Sequence, residues 1–240
     1  MPVSGPETAN AVKKLLRALG DKDVARKSKR FFKSGSGDYG EGDKFIGIRV
    51  PIVRAQVKHF RTLTLVEVLK LLNSSYHEER LCAVFMLVDQ YARGDQTKRE
   101  EIYDAYLNNA TQVNNWDLVD SSAHKIVGPW LEKRSRKPLY ELAQSTNLWE
   151  RRIAIMSTYH FIRLKDFEDT LTIADILLND EHDLIHKAVG WMLREVGNRD
   201  RQQEVDFLQS RYKGMPRTML RYAIEKFPAA ERKQYLSGQV

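Results

Sequence analysis

The sequence predicts an all-α fold, a right-handed α-solenoid of HEAT- or armadillo-like helical repeats with a concave basic groove. Three observations carry this. Apolar residues recur at three- and four-residue spacing along most of the chain, as on one face of a helix. No comparable series of alternating β-branched segments appears. A motif of one basic residue followed by small and apolar ones returns at a period of about 35 residues, the length of a helical hairpin unit.

The elements follow in order. Val12, Leu15, Leu16 and Leu19 mark a first helix, Asn10 to Leu19. Lys33 to Lys44 reads as a Gly-rich loop or lid, with five glycines or serines in Ser34 to Gly40 alone. Pro51, at a favoured first helical position, opens a helix reaching Phe60. Amphipathic stretches then run Leu65 to Leu72, Glu78 to Tyr91, Glu101 to Leu107, Pro138 to Ala143 and Trp149 to Ile162. Thr170 to Leu178, Leu184 to Val196, Glu204 to Tyr212 and Met219 to Phe227 complete the series. The whole chain, 1–240, is expected to be one helical-repeat domain.

Composition narrows the function. The 240 residues carry a net charge of +7, which favours a polyanionic partner. The lone cysteine, Cys82, excludes an internal disulfide and a cysteine-based zinc site. The longest apolar run, Leu81 to Val88, is far short of the roughly 20 residues of a membrane span. The chain's start has no signal-peptide apolar stretch, so a soluble cytoplasmic monomer is the default expectation. No cofactor and no metal are expected. Gly35-x-Gly37-x-x-Gly40 follows no plausible strand, so it is a poor dinucleotide fingerprint. His182 and His186 lack an obvious third ligand.

The repeat aligns Arg80, Arg152, Lys187 and Arg221, with steps of 72, 35 and 34 residues. The double step leaves room for one more unit, centred on Trp116 in "NNWDLVDSSAHKIV". Equivalent positions of stacked repeats line up, so the four cations should form a row suited to a phosphate backbone. The plainer alternative is a set of salt bridges within repeats. Arg151 lies beside Arg152 and strengthens that position. Arg49 and Arg54 flank Pro51 at a helix start, a good place for phosphate. Arg26, Lys27, Lys29 and Arg30 are either a solvated face or a DNA contact.

The Trp116 unit departs from the pattern. It puts an indole where the others have a cation, and four residues on it has Asp120. Positions four apart share a helical face. Trp191 is the four-on position of the Lys187 unit. The expected site is therefore two indoles and one carboxylate on a basic surface. Core packing would explain the tryptophans equally well, and a first-turn role suits Asp117. Asp120 is too deep in the helix for that, and a carboxylate on a phosphate-binding face needs a purpose.

These segments resemble the AlkD-like DNA alkylation-repair glycosylases. "NNWDLVDSSAHKIV" is similar to that family's catalytic W-D-x-V-D segment. "NLWERRIAI" resembles its DNA-gripping arginine segment, "HKAVGWMLRE" its K-A-x-G-W-x-L-R-E segment, and "FIGIRVPIVR" its entry to the second helical pair. The likeness spans roughly Ala9 to Ala230. It implies a DNA glycosylase excising cationic N3- and N7-alkylated purines from duplex DNA, with Trp116, Asp120, Arg152 and Trp191 in the site. It also matches Arg54 to a basic position and Tyr39 to an N-terminal aromatic DNA contact. The alternative is a non-catalytic helical-repeat module that binds structured or damaged DNA.

Overall fold

A computed structural model describes residues 8–240. The first seven residues, part of the expected single domain and of the segment read for a signal peptide, lie outside the described residues. The fold is all-α, of the α-solenoid type. Its helices are α1 (Ala9–Ala18), α2 (Lys22–Phe31), α3 (Val50–Val57), α4 (Leu65–Leu72), α5 (His77–Arg93), α6 (Gln96–Asn108), α7 (Trp116–Leu131) and α8 (Lys137–Ala143). They continue with α9 (Leu148–Ser157), α10 (Tyr159–Arg163), α11 (Glu168–Ile176), α12 (Asp183–Gly197), α13 (Arg201–Gln209), α14 (Arg217–Ala223) and α15 (Ala229–Ser237). Among the described residues the only β-type pairing is one parallel bridge between Lys44 and Tyr76. No helix among them is long and apolar enough to cross a membrane.

The described residues pack as two compact units, 8–122 and 123–240, with the boundary inside α7. In the first, α5 is the central helix and packs on α3, α4 and α6. Its run from Leu81 to Leu87 is buried throughout, which explains the uninterrupted apolar stretch. Burial pushes the Cys82 thiol up to about 12, so it behaves as a small core hydrophobe. In the second unit, α12 is central and packs on α9, α13 and α14.

Sequence periodicity missed α2. This helix buries no residue, so it has no apolar stripe to detect. Its start is fixed instead by Asp21, whose Oδ1 accepts from the amides of Asp23 (2.8 Å) and Val24 (3.0 Å). The stretch Trp149 to Ile162 proves to be two helices. Thr158 interrupts it, bonding its hydroxyl back to the Ile155 carbonyl at 2.7 Å.

The Gly-rich segment is a built turn tied to the first unit. Lys44 donates to the Ser75 carbonyl at 3.0 Å, and His77 donates back to Lys44 at 2.8 Å. Glu78 accepts from the amides of Ile46, Gly47 and Ile48 at 2.9, 2.8 and 3.3 Å. Gly47 has φ of 87°, and a Cβ there would stand 1.9 Å from the Asp21 carbonyl oxygen. Only glycine allows α2 to lie so close.

One buried carboxylate is poorly provided for. Glu204 on α13 is 2% exposed and presses on Gly197, where an added Cβ would lie 1.7 Å from Oε2. Its nearby cations are taken: Arg194 pairs with Glu225 and Arg201 with Glu231. Burial raises its carboxyl to about 8, against the pull of Arg201 and Arg194. The folded state therefore holds this proton more tightly than the unfolded chain. Stability is lost as pH rises from the ordinary carboxylate range through 8. Glu204→Gln should consequently gain on wild type between pH 5 and 9, by on the order of 3 kcal/mol. Thermal melts at the two pH values check this, and an equal difference at both would refute it.

Candidate functional site

The site is built from the start of α7. Asn115 is fully buried, and its Oδ1 accepts from the Trp116 amide at 2.8 Å. Asp117, in the first turn, meets the buried His77 of α5, with Nε2 to Oδ2 at 2.8 Å. On its other side His77 Nδ1 faces Asp43 at 3.5 Å. Asp43 in turn binds Arg80 at 2.6 Å. Burial alone would depress the His77 pKa, but Asp117 and then Asp43 outweigh it and push it up to about 9. Burial likewise works against ionised Asp43, yet His77 and Arg80 hold it below the usual carboxylate range. The network thus runs Asp117–His77–Asp43–Arg80, with the imidazole set between two carboxylates and the guanidinium on the far side of Asp43, all at the foot of α7.

Aromatic rings lie over this network. Phe32 stacks on Trp116 (centroids 5.5 Å apart) and on Phe45 (5.5 Å), and lies 4.5 Å from the His77 ring. Phe45 stacks on His77 from a further side at 5.2 Å. Trp116 is half-buried, with Phe31 edge-on to it at 5.8 Å. Asp120, one turn along α7, is also half-buried. It lies near the buried Tyr106 phenol, whose pKa is raised by burial and further by Asp120. The Tyr106 hydroxyl pairs with Ser122 Oγ at 2.8 Å.

In the second unit, Trp191 donates from Nε1 to Glu195 at 3.2 Å, and Glu195 also holds Arg199 at 2.8 Å. Arg199 lies over the Tyr159 ring, which meets His124 edge-on at 5.4 Å. The Trp191 indole is therefore oriented by a polar chain rather than by packing alone. Glu195 and His77 are positioning groups that sequence reasoning did not single out. Glu195 stands four residues after Trp191, a spacing the sequence offered, whereas His77 is revealed only by its contact with Asp117.

The expected solvent-facing row of cations does not form. Arg80 is 2% exposed, and its guanidinium serves Asp43 and the Ser74 carbonyl, 2.9 Å away, so it is not placed to grip phosphate. The reason is a one-residue error in register. Arg80, Arg151 and His186 are each the fourth residue after a cap, at Tyr76, Asn147 and His182. Each bonds the carbonyl six residues back, at Ser74, Ser145 and Asp180. Ser74 and Ser145 even make matching bonds, each to a glutamate five residues on, Glu79 and Glu150. Arg80 is thus equivalent to Arg151, not Arg152. One residue is about 100° of helical turn, enough to swing a side chain off a face.

The other expected contacts fall as follows. Arg152 is buried and donates to the Leu184 carbonyl. Arg151 pairs with Asp180 at 2.6 Å. Lys187 is partly exposed and pairs with Asp183 at 2.6 Å, while Arg221 is exposed. Lys27, Arg49 and Arg54 are exposed, with Arg54 over the Phe85 ring at 4.7 Å. Tyr39 is half-buried in the Gly-rich turn. The exposed ring beside Trp116 is Phe31. His182 caps α12, its Nδ1 accepting from Leu184 at 3.1 Å.

An all-helical repeat protein with a braced tryptophan and a carboxylate one turn along, and with excess positive charge, is of a nucleic-acid-directed class. The sequence profile of the DNA alkylation repair enzyme family matches residues 12–227, and the chain belongs to that family. Its role is therefore in the repair of alkylated DNA. The fold is similar to that of a protein described as a predicted DNA alkylation repair enzyme from Enterococcus faecalis. The two are 16% identical, with a TM-score of 0.67 over 88% of this chain and 98% of that one. No curated protein matches the sequence.

Proposed function

We propose that the protein is a monofunctional DNA glycosylase that releases cationic N3- and N7-alkylated purines from duplex DNA by hydrolysing the N-glycosidic bond. The observation that carries this reading is Asp120, a carboxylate one helical turn from Trp116 on a helix whose foot is locked by buried ion pairs. An N3- or N7-alkylated purine already bears a positive charge and leaves as a neutral base. Positive charge grows instead on the deoxyribose. A fixed carboxylate stabilises that charge and can orient the attacking water. Indole faces attract cations, so Trp116 suits the cationic nucleotide. Trp191 and Arg152 stand at the corresponding motif positions of the second unit. On this reading Trp191 carries a matching indole contact, whereas Arg152, buried on the Leu184 carbonyl, is no better placed than Arg80 to grip phosphate and braces the motif instead. No general acid is required, because the leaving group needs no proton.

The test is base release from duplexes carrying N7-methylguanine, N3-methyladenine or uracil. Release of both alkylpurines and no release of uracil is expected. DNA affinity should fall steeply as salt rises. Efficient uracil release, or salt-sensitive binding with no release of any base, would overturn the reading.

A further inference from the structure

The second helix is unlike the others. None of the residues of α2 is buried, yet it carries Lys22, Arg26, Lys27, Lys29 and Arg30 against a single acid, Asp23. Arg26 spends its charge on that acid at 2.9 Å. Lys22, Lys27, Lys29 and Arg30 make no ion pair among the described residues. Lys33 follows the helix with φ of 47°, a left-handed position where helix ends usually place glycine. A fifth unpaired cation is thereby kept at some backbone cost.

Phe31 ends this helix and is 65% exposed. Its ring packs into no core. It stands edge-on to Trp116 at 5.8 Å and to Phe32 at 5.0 Å. Lys27 is four residues before it and so shares its face of the helix. An exposed ring flanked by unpaired cations is the combination that grips single nucleotides: the ring stacks on a base, and the cations hold the phosphates on either side. A protein partner that merely covered the ring would leave this charge uncompensated. A duplex whose bases stay stacked offers no base face to Phe31.

We propose that Phe31 stacks on an unstacked nucleobase of the damaged duplex, with Lys27, Arg30 and Lys33 holding the flanking phosphates. This rests on the DNA-repair reading above and adds a contact to it. It makes α2 the element that distinguishes a disrupted site from intact DNA.

The experiment measures equilibrium binding of the full chain to two duplexes. One is intact. The other carries a tetrahydrofuran abasic analogue opposite 5-iododeoxyuridine. Having no base to release, the analogue separates binding from excision. Phe31→Ala should weaken binding to the abasic duplex roughly tenfold while leaving the intact duplex almost unchanged, and Phe31→Tyr should restore it. Photocrosslinking should map the iodouracil to the peptide containing Phe31. Since Phe31 is exposed, the Ala variant should keep the wild-type melting temperature. Equal losses on both duplexes, or no loss on either, overturn the proposal. Wild-type binding with an unaffected Phe31→Ala defeats it alone. Failure of the wild type to bind any DNA defeats the glycosylase reading as well.

Discussion

Asp120→Asn is expected to slow base release from N7-methylguanine duplex by about 10²–10³ while DNA affinity stays close to wild type. The substitution keeps size and shape and removes only the charge. Asp120 is half-buried on the middle turns of α7 and is not one of the residues locking its foot, so the brace at Asp117 is left intact. Its contribution to the reaction appears as positive charge develops on the sugar. Loss of one such preorganised electrostatic group costs about 10²–10³ in rate. The signature is a fall in the single-turnover rate with little change in binding. A removed like-charge repulsion should, if anything, tighten DNA slightly. A near wild-type rate would refute the assignment, and a parallel loss of binding would make Asp120 a scaffold residue. Because the leaving base is already cationic, no compensating acid should emerge in the pH profile of the variant.

The fold was legible because its core obeys one period. Buried Val12 and Leu16, Leu71 and Leu72, Ile153 and Met156, and Leu193 and Val196 all fall on the expected stripes. What was not legible lacked that stripe. The cationic helix Lys22–Phe31 turns no side chain fully into a core, so propensity and an Asp cap hold it where hydrophobic pattern is silent. The Trp116–Asp120 pair could be picked from sequence because it breaks the repeat. The error at Arg80 came from the same repeat alignment. The repeat was aligned on residue type, whereas its true register lies in the bonds from Arg80, Arg151 and His186 to the preceding turns. Spacing fixes which helices correspond, but only side-chain bonding fixes the residue. The His77 network was invisible for another reason. Asp43, His77 and Asp117 are far apart in sequence, and although Asp117 lies in the W-D-x-V-D segment, nothing in that segment points to His77 or Asp43.

That network predicts the second large effect. His77→Ala should destabilise the protein by about 3–5 kcal/mol, because it leaves the Asp117 carboxylate without its cation and strips Asp43 of one of two. Arg80 cannot compensate, since its guanidinium is committed to Asp43 and the Ser74 carbonyl. For a chain of this size that is a fall of roughly 10 °C in melting temperature. The pH dependence separates the charge from the packing against Phe32 and Phe45. The folded state raises the His77 pKa from 6.5 to about 9, so it binds a proton that the unfolded chain releases near neutrality. The stabilisation is fully present below pH 6.5 and is lost as pH rises through 9. Wild type should therefore lose on the order of 3 kcal/mol between pH 6.5 and 9.5 from this group. His77→Gln, which retains a polar side chain but cannot take the charge, should show a flatter curve over the same range. Parallel curves for the two proteins would mean that His77 is neutral in the folded state. The brace at the foot of α7 would then be hydrogen bonding alone, and the orientation of Trp116 would have to come from Phe32 and Asn115.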